Sequence, residues 1–541
     1  METQKTNAGA SQELPNLGEY EGLNFAQVLD AQADRHPDKV FVTDDVQSLT
    51  FREFSEATDH LAAALRKKGL VRGEPCGLLY HNSIRYLLLM FAILKAGAVI
   101  IPLNTRYRAH ELNFMLGFSS ARFLFTINAF LKADFVAILD EVRPGLPKLA
   151  NIYVDGGTPS KGMMDIEELF RYRAGSDEIA ALKAQAVSDS EPASILFTSG
   201  TTSQPKAVVG SHHGRVWTGI RNAERMKITD ADVLLNPLPF CHEFGGFTIP
   251  SHAILCGCKM VIMDVFNAQR AMELIDKHRV SVLYGVPTMF AYMLDLPDFR
   301  KYDISSLRTG YMSGATCPLE LVKAVQGDMG CNLSVAYGLS EIPCSTISEY
   351  DDLPEVKATT IGKPVRGAEA RIVDENRGPL PVGTPGEIAL RGGNLMIGYY
   401  MNPELTAKVV DKDGFIYTSD VGMMDENGYL HFLGRKTDLI IGGGFNIYPL
   451  EVEEVLYGLS YVEQAAVVGL PQEGKDDLIV ACLVLRDGMT ATQEEVIEYC
   501  KGRLANYKVP RRVEFMKELP VTLATNKVKK LELVKILKEA Q

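Results

Sequence analysis

Apolar residues recur along the first two-thirds of the chain in two alternating rhythms. "SEATDHLAAALRKKG" sets Leu61, Ala62 and Leu65 at helical spacing and stops at Gly69. "EPCGLLY", "AVIIPL" and "RFLFTI" are short continuous apolar runs, which predict buried strands. The longest apolar stretch, "YLLLMFAILKAGAVIIPL", is broken by Lys95 and Gly97. It predicts a buried helix followed by a strand rather than a membrane span. "AMELIDKHRV" and then "SVLYGVP" repeat the same helix-then-strand order. The alternation predicts an α/β architecture of helix-flanked, mostly parallel sheets.

The pattern changes after Pro364. "EARIVD", "GEIALRG", "FIYTSD" and "YLHFLG" read as strands separated by glycine-rich turns, and Asn427-Gly428 between apolar runs is a hairpin signal. These features predict a β-rich subdomain over residues 365–435. Beyond Arg435 the pattern resets. "PLEVEEVLYGL" and "QEEVIEYCKGRL" are helical, with Ile497, Cys500 and Leu504 on one face, and "QAAVVGLP" and "LIVACLVL" are strand-like. About 105 residues can hold one small core of their own. The expectation is a large domain over 1–435 and a small α+β domain over 436–541.

Composition narrows the function classes. The chain has 541 residues and a formal net charge of −12. That balance disfavours nucleic-acid binding, which needs a basic surface. Nine cysteines are scattered, and Cys256-Gly-Cys258 is their one close pair, with no further ligands near enough to complete a metal site. They predict packed thiols. The polar N-terminus "METQKTNAGASQELPN" lacks an apolar signal core and reads as a loose tail. No transmembrane segment and a reduced, cytoplasmic setting are the expectations.

The densest chemistry lies in "TSGTTSQPK", Thr198 to Lys206, directly after the apolar run "SILF". A strand feeding a loop of hydroxyls and backbone N–H groups, ending in a lysine, suits phosphate. It is not the Walker loop, because Lys206 stands between Pro205 and Ala207 instead of between glycine and a hydroxyl residue.

This stretch resembles the phosphate loop of the adenylate-forming superfamily: acyl-CoA synthetases, luciferases and adenylation domains. "YGLSE" (Tyr337 to Glu341), "YTSD" (Tyr417 to Asp420), "GRKTD" (Gly434 to Asp438), "GGGFNIYPLEVE" (Gly442 to Glu453) and "TNKVKK" (Thr525 to Lys530) are similar to its further motifs, in the same order. The resemblance runs from about Phe25 onward and is strongest toward carboxylic acid–CoA ligases.

The resemblance implies a two-step reaction. A carboxylate attacks the α-phosphate of ATP, giving an acyl-adenylate and pyrophosphate, and the thiol of coenzyme A then displaces AMP. Thr198, Ser199, Gly200, Thr201, Thr202 and Lys206 would hold the β- and γ-phosphates, and Glu341 would hold Mg²⁺, with Ser340 supplying a hydroxyl. Tyr337, Gly338 and the turn Gly314, Ala315, Thr316 would flank the adenine. Asp420 would accept hydrogen bonds from the ribose diol, joined by Arg435. Lys527 would offset charge at the reacting carboxylate. The family usually has glycine where Ser203, Ala207 and Asn526 stand, and aspartate or lysine at the pivot, here Thr437. After rotation about that pivot, the side-chain-free Gly443 and Gly444 would line a pantetheine path.

His242 in "PLPFCHEFGG" matches the histidine beside the acyl group. Trp217, Tyr284, Tyr311, Met312 and Ser313 are candidate pocket walls, mostly apolar or aromatic, which suits a hydrophobic fatty or aromatic acid. The partner is then a small-molecule carboxylic acid. Two other readings stand beside this one. The acceptor is a carrier-protein pantetheine supplied in trans or another acceptor, such as oxygen in a luciferase-like reaction, or the chain is a non-catalytic nucleotide sensor. The second leaves Lys527 without a purpose.

Overall fold

The computed structural model describes residues 15–157, 159–198, 205–315, 317–442, 445–472, 475–521 and 528–539. The chain divides into two units. The first runs to Lys357 and includes Pro364–Ala368 and Gly392–Lys408. The second comprises Ala358–Lys363, Glu369–Arg391 and the chain from Val409 onward.

The first unit is built on two sheets. In one, strands Pro75–Leu79, Val99–Leu103, Phe123–Ile127 and Asn151–Asp155 run parallel. Val99–Leu103 also pairs in parallel with Pro192–Thr198, and the antiparallel strands Lys206–Ser211 and Gly398–Tyr399 complete that side. In the other, Lys259–Ile262, Val233–Asn236, Val282–Gly285, Thr309–Ser313 and Asn332–Leu339 run parallel side by side. Ile342–Ile347 turns back antiparallel next to Asn332–Leu339. The α/β expectation of mostly parallel sheets is met. Strands such as "VIIPL" and "FLFTI" are buried along their whole length, as the strands of a parallel sheet covered on both faces are.

The apolar stretch around Lys95 folds as its breaks require. Ile84–Lys95 is a helix that buries every residue but Arg85, capped by Ser83, whose hydroxyl accepts from the Tyr86 N–H at 3.2 Å. Gly97 turns the chain at φ +72° into the strand Val99–Leu103. Lys95 is buried yet paired, donating to Asp30 at 2.6 Å, to Asp59 and to the Ser55 hydroxyl at 3.0 Å. A buried ammonium is tolerable only with such partners. Among the described residues no helix is long and apolar enough to cross a membrane.

The second unit contains the expected β-rich part. Glu369–Val373, Gly386–Arg391, Ile416–Met424 and Leu430–Arg435 form an antiparallel sheet. Its last hairpin turns at Asn427-Gly428, where Gly428 takes φ +80° and the Asp425 carboxylate accepts from the Asn427 and Tyr429 N–H groups at 2.9 Å. Farther along, Val462–Gln472, Lys475–Leu485 and Arg512–Phe515 make a three-stranded sheet with a core on each face. Ala465 and Val467 pack with Val452, Leu456, Val496 and Cys500 of helices Pro449–Tyr457 and Gln493–Lys501. Their alternating neighbours Ala466 and Val468 pack with Leu533 and Leu537 of helix Lys530–Glu539. The period-two alternation of a strand separates the two cores. Ile497, Cys500 and Leu504 share the first of them, as their spacing predicts.

Candidate active site

In the first unit, the strands Pro192–Thr198 and Lys206–Ser211 form a hairpin whose last pair is Thr198 opposite Lys206. The strand is buried through Leu196 and emerges at Phe197 and Thr198. Ser199, Gly200, Thr201 and Thr202, between the two strands in sequence, lie outside the described residues. The Lys206 ammonium stands 5.5 Å from the centroid of the Tyr399 ring. The Tyr399 hydroxyl donates to Glu341 Oε1 at 2.8 Å. Lys206 and Glu341, 135 positions apart in the chain by their numbers, thus share one neighbour. Burial and the adjacent Glu341 push the Tyr399 hydroxyl well above its ordinary pKa, so it stays a protonated donor. Tyr399 pairs with Val208 across the sheet, the Tyr400 N–H donates to the Ala207 carbonyl at 2.8 Å, and the Met396 N–H donates to the Glu341 carbonyl at 2.7 Å. Tyr399 was not singled out in the sequence. Its only local trace is the pair Tyr399-Tyr400 behind a glycine.

Ser340 and Glu341 form the two-residue tip between the paired residues Leu339 and Ile342. Gly338 is forced by close approach: a Cβ there would lie 2.1 Å from the Cys344 backbone nitrogen. Ser313 ends its strand by donating its hydroxyl to the Ala336 carbonyl at 2.8 Å, which ties the Gly314 turn to the strand carrying Tyr337. Gly314 has φ +90°, a conformation that favours glycine. Thr316 lies outside the described residues. These groups sit at the carboxyl ends of neighbouring parallel strands, where open α/β sheets bind ligands.

His242 follows the strand Val233–Asn236. The turn is held by Asn82, which donates to the Leu238 carbonyl at 2.8 Å and accepts from the Phe240 N–H at 2.8 Å. Asn104 Nδ2 is 3.4 Å from His242 Nε2. A π-helical turn, Phe244–Thr248, then leads into helix Ile249–Cys256. Two glycines are needed there, because a Cβ on Gly246 would come within 2.0 Å of the Phe240 carbonyl oxygen and one on Gly245 within 2.6 Å of that of Pro239. Phe244 stacks on Tyr311 at 4.8 Å, and Tyr284 meets Tyr311 edge-on at 5.2 Å. Of the expected pocket walls, Tyr284 and Tyr311 therefore join one aromatic cluster beside the His242 turn. Met312 is fully buried and, one residue on from Tyr311, takes the opposite face of its strand. Trp217 packs against Gly367, Gly392 and Gly393.

In the second unit, Asp420 and Arg435 are cross-strand partners, with Arg435 Nε 3.3 Å from Asp420 Oδ1. The Asp420 side chain is only 3% exposed. Its N–H donates to the Thr418 hydroxyl at 3.1 Å, and Ser419 adopts φ +61° while its N–H donates to Glu387 at 2.8 Å. Thr437 sits in a short 3-10 turn, Lys436–Asp438, and donates to Asp438 at 3.2 Å. Gly443, Gly444 and Lys527 lie outside the described residues. The lysines that follow are engaged: Lys529 pairs with Glu532 at 3.0 Å and Lys530 with Glu453 at 2.7 Å.

Comparison with known proteins completes the assignment. The family model described as AMP-binding enzyme matches residues 29–400, and the one described as AMP-binding enzyme C-terminal domain matches residues 451–525. The chain belongs to the adenylate-forming, AMP-binding enzymes. It is 36% identical over 488 residues to 3-[(3aS,4S,7aS)-7a-methyl-1,5-dioxo-octahydro-1H-inden-4-yl]propanoyl:CoA ligase of Rhodococcus jostii, covering 88% of this chain and 92% of that one. It is 33% identical over 533 residues to the mitochondrial medium-chain acyl-CoA ligase of Pongo abelii, covering 94% and 86%. The crystal structure of an anthranilate CoA ligase in complex with anthranoyl-AMP superposes with a TM-score of 0.88 at 25% identity, covering 97% and 99%. This synthetase is an AMP-forming acid–CoA ligase, and enzymes of its kind use ATP and coenzyme A.

Proposed function

We propose that the enzyme activates a hydrophobic monocarboxylic acid, fatty or aromatic, as its adenylate and passes the acyl group to coenzyme A. The observation that carries the substrate class is the aromatic cluster Phe244, Tyr284 and Tyr311 beside the His242 turn. Such a lining favours an apolar acyl frame. The acyl groups named for its relatives, a fused-ring propanoyl and a medium-chain acyl, are in keeping with it.

Two anions must meet in the first step, so the residues near the phosphates must offset charge. Lys206 and the hydroxyls from Thr198 to Thr202 serve the β- and γ-phosphates. Glu341 suits Mg²⁺, which takes one or two carboxylates and fills its shell from substrate phosphates and water. Among the described residues no group of three His, Cys, Asp or Glu forms a dedicated cage, which agrees with that mode. Bound there, the ion would neutralise phosphate charge. Tyr399 fixes the carboxylate by its hydrogen bond. Tyr337, Gly338 and the Gly314–Thr316 turn serve the adenine, and Asp420 with Arg435 serves the ribose. His242 orients the acyl carboxylate. We assign Lys527 to the adenylation step. We place the functional boundary at Lys436, with Thr437 as pivot and Gly443 and Gly444 beside the thiol path. A carrier-borne pantetheine would fit the same path. All nine cysteines are free thiols and all but Cys241 are buried, which supports a reducing, cytoplasmic setting.

The test supplies ATP, Mg²⁺, coenzyme A and a panel of acids, and follows pyrophosphate, AMP and free thiol. Acid-dependent AMP with matching thiol loss is the expected result. Pyrophosphate release that ignores coenzyme A would point to another acceptor. Lys527→Ala should slow adenylation by about 10²–10³-fold, the scale of losing one preorganised contact. It should leave thioester formation from supplied acyl-adenylate largely intact. Normal adenylation in that variant would mean the wrong lysine was chosen.

A further inference from the structure

The face of the sheet behind the His242 turn carries a buried polar row. Tyr284 is in register with Tyr311, and Tyr311 with Ser334, on three neighbouring parallel strands. Residues in register on parallel strands point the same way, so the three side chains line one face. Helix Ile249–Cys256 covers that face with His252, whose Nδ1 is 2.8 Å from the Tyr284 hydroxyl and whose ring is 6.3 Å from Tyr311. Tyr311 itself reaches Cys344, hydroxyl to sulfur, at 3.4 Å. All of these side chains are buried, and His252 and Ser334 are at 0% exposure.

The proton inventory is readable. Burial pushes the Tyr284 hydroxyl well above its ordinary range, so it keeps its proton and donates to His252 Nδ1. Burial also holds His252 neutral, with its pKa lowered to about 3. A neutral imidazole that accepts at Nδ1 carries its hydrogen at Nε2. Among the described residues that Nε2–H has no hydrogen-bond partner, and neither has the Ser334 hydroxyl. Buried groups of this kind are normally satisfied, by ordered water or by the polar atom of a bound ligand. The nearby guanidinium is not free to supply a counter-charge. Arg215 is bound to Glu243 and donates to Ser194 at 2.7 Å. Glu243 in turn lies close enough to Tyr311 and Cys344 for its charge to act on both. A second carboxylate would be repelled there, whereas a neutral acceptor would be welcome.

We propose that this row is the far end of the acyl site and selects an oxo acid. Its substrate has a hydrophobic frame bearing a ketone oxygen remote from the carboxylate, with His252 Nε2–H donating to that oxygen. The assignment rests on the reading above, in which the acid binds beside His242. Tyr311 stands two residues, about 7 Å, before Ser313 on the same strand face, so the row lies deeper along the sheet than the Gly314 turn. A site built around an unpaired donor rejects the analogue that lacks the acceptor.

The experiment compares acids that differ only by CH₂ against C=O: nonanoate with 8-oxononanoate, and 4-cyclohexylbutanoate with 4-(4-oxocyclohexyl)butanoate. Acyl-CoA formation is measured for the wild type, His252→Phe and Tyr284→Phe, with thermal melts to check folding. The oxo member of at least one pair should have a kcat/KM higher by about tenfold or more. That ratio should fall toward one in both variants, chiefly through a higher KM for the oxo acid. Tyr284→Phe removes one hydroxyl and frees Nδ1 to hold the proton, so it carries the test should His252→Phe fold poorly. Acyl-CoA formation with no oxo preference, or a preference unchanged in the folded variants, overturns the proposal and leaves the ligase reading standing. Absence of acid-dependent pyrophosphate with every acid tried would sink both.

Discussion

Tyr399 and Glu341 show how much one hydrogen bond can matter in this site. The carboxylate can bind a cation well only when its orientation is set beforehand, and the 2.8 Å bond from Tyr399 sets it. Tyr399→Phe is therefore expected to lower kcat/KM for ATP by about tenfold, the worth of one hydrogen bond to a charged group. Glu341→Gln should cost about 10²-fold or more in kcat, because charge is lost where phosphate charge must be offset. Steady-state pyrophosphate release at varied ATP and Mg²⁺ measures both, and equal effects of the two variants would remove Tyr399 from its supporting place. Glu341 was legible in the sequence because it lies in a five-residue motif. Tyr399 was not, because its role is created by pairing with Val208, far away in the chain. Trp217, an aromatic candidate for the pocket wall, has its ring against Gly367, Gly392 and Gly393, a contact that no local pattern announces.

Elements set the next level. The π-helical turn Phe244–Thr248 lets the His242 segment lie against the preceding turn, and Gly246 is where the two backbones meet. Gly246→Ala should destabilise the fold by about 1–3 kcal/mol, toward the upper end because a carbonyl cannot swing aside as a side chain can. Its denaturation midpoint checks this, and an unshifted midpoint would show that the turn has slack. The helix His212–Met226 gives a pH prediction. His212, its first residue, is fully buried and accepts from the Phe25 N–H at 3.4 Å through Nδ1. Burial, with Arg215 adding, lowers its pKa to about 4. Between about pH 6.5 and 4 the unfolded chain therefore binds a proton that the native state refuses, so stability falls as pH falls through that window. The loss reaches about 3 kcal/mol at the acid end. His252, lowered to about 3, acts with the same sign. Chemical denaturation at pH 6.5 and 4.5 should show a smaller acid loss in His212→Asn than in the wild type. The strands and helices themselves were largely readable, since periodicity reports which face of an element is buried. The π turn was not, because an altered backbone hydrogen-bond register leaves only two adjacent glycines as a local mark.

The molecule has two kinds of work to separate in time: joining an acid to a nucleotide, and letting a thiol reach the product. We assign the second to Gly443 and Gly444, where a pantetheine arm needs room. Gly444→Trp should abolish acyl-CoA formation by more than about 10²-fold while acid-dependent pyrophosphate release in a single turnover stays near normal. Intact acyl-CoA formation would place the path elsewhere. The order of motifs along the chain was sufficient to establish the superfamily and the α/β class, and it is the ground on which the phosphate, ribose and lysine positions are proposed. Local spacing dictates backbone shape and donor type, and the chemistry of ATP demands a fixed set of both. Which residues complete the acyl end depended on the three-dimensional fold. Tyr284, Tyr311, Ser334 and His252 come from separate strands and a helix, and their polarity has meaning only once sheet register brings them onto one buried face.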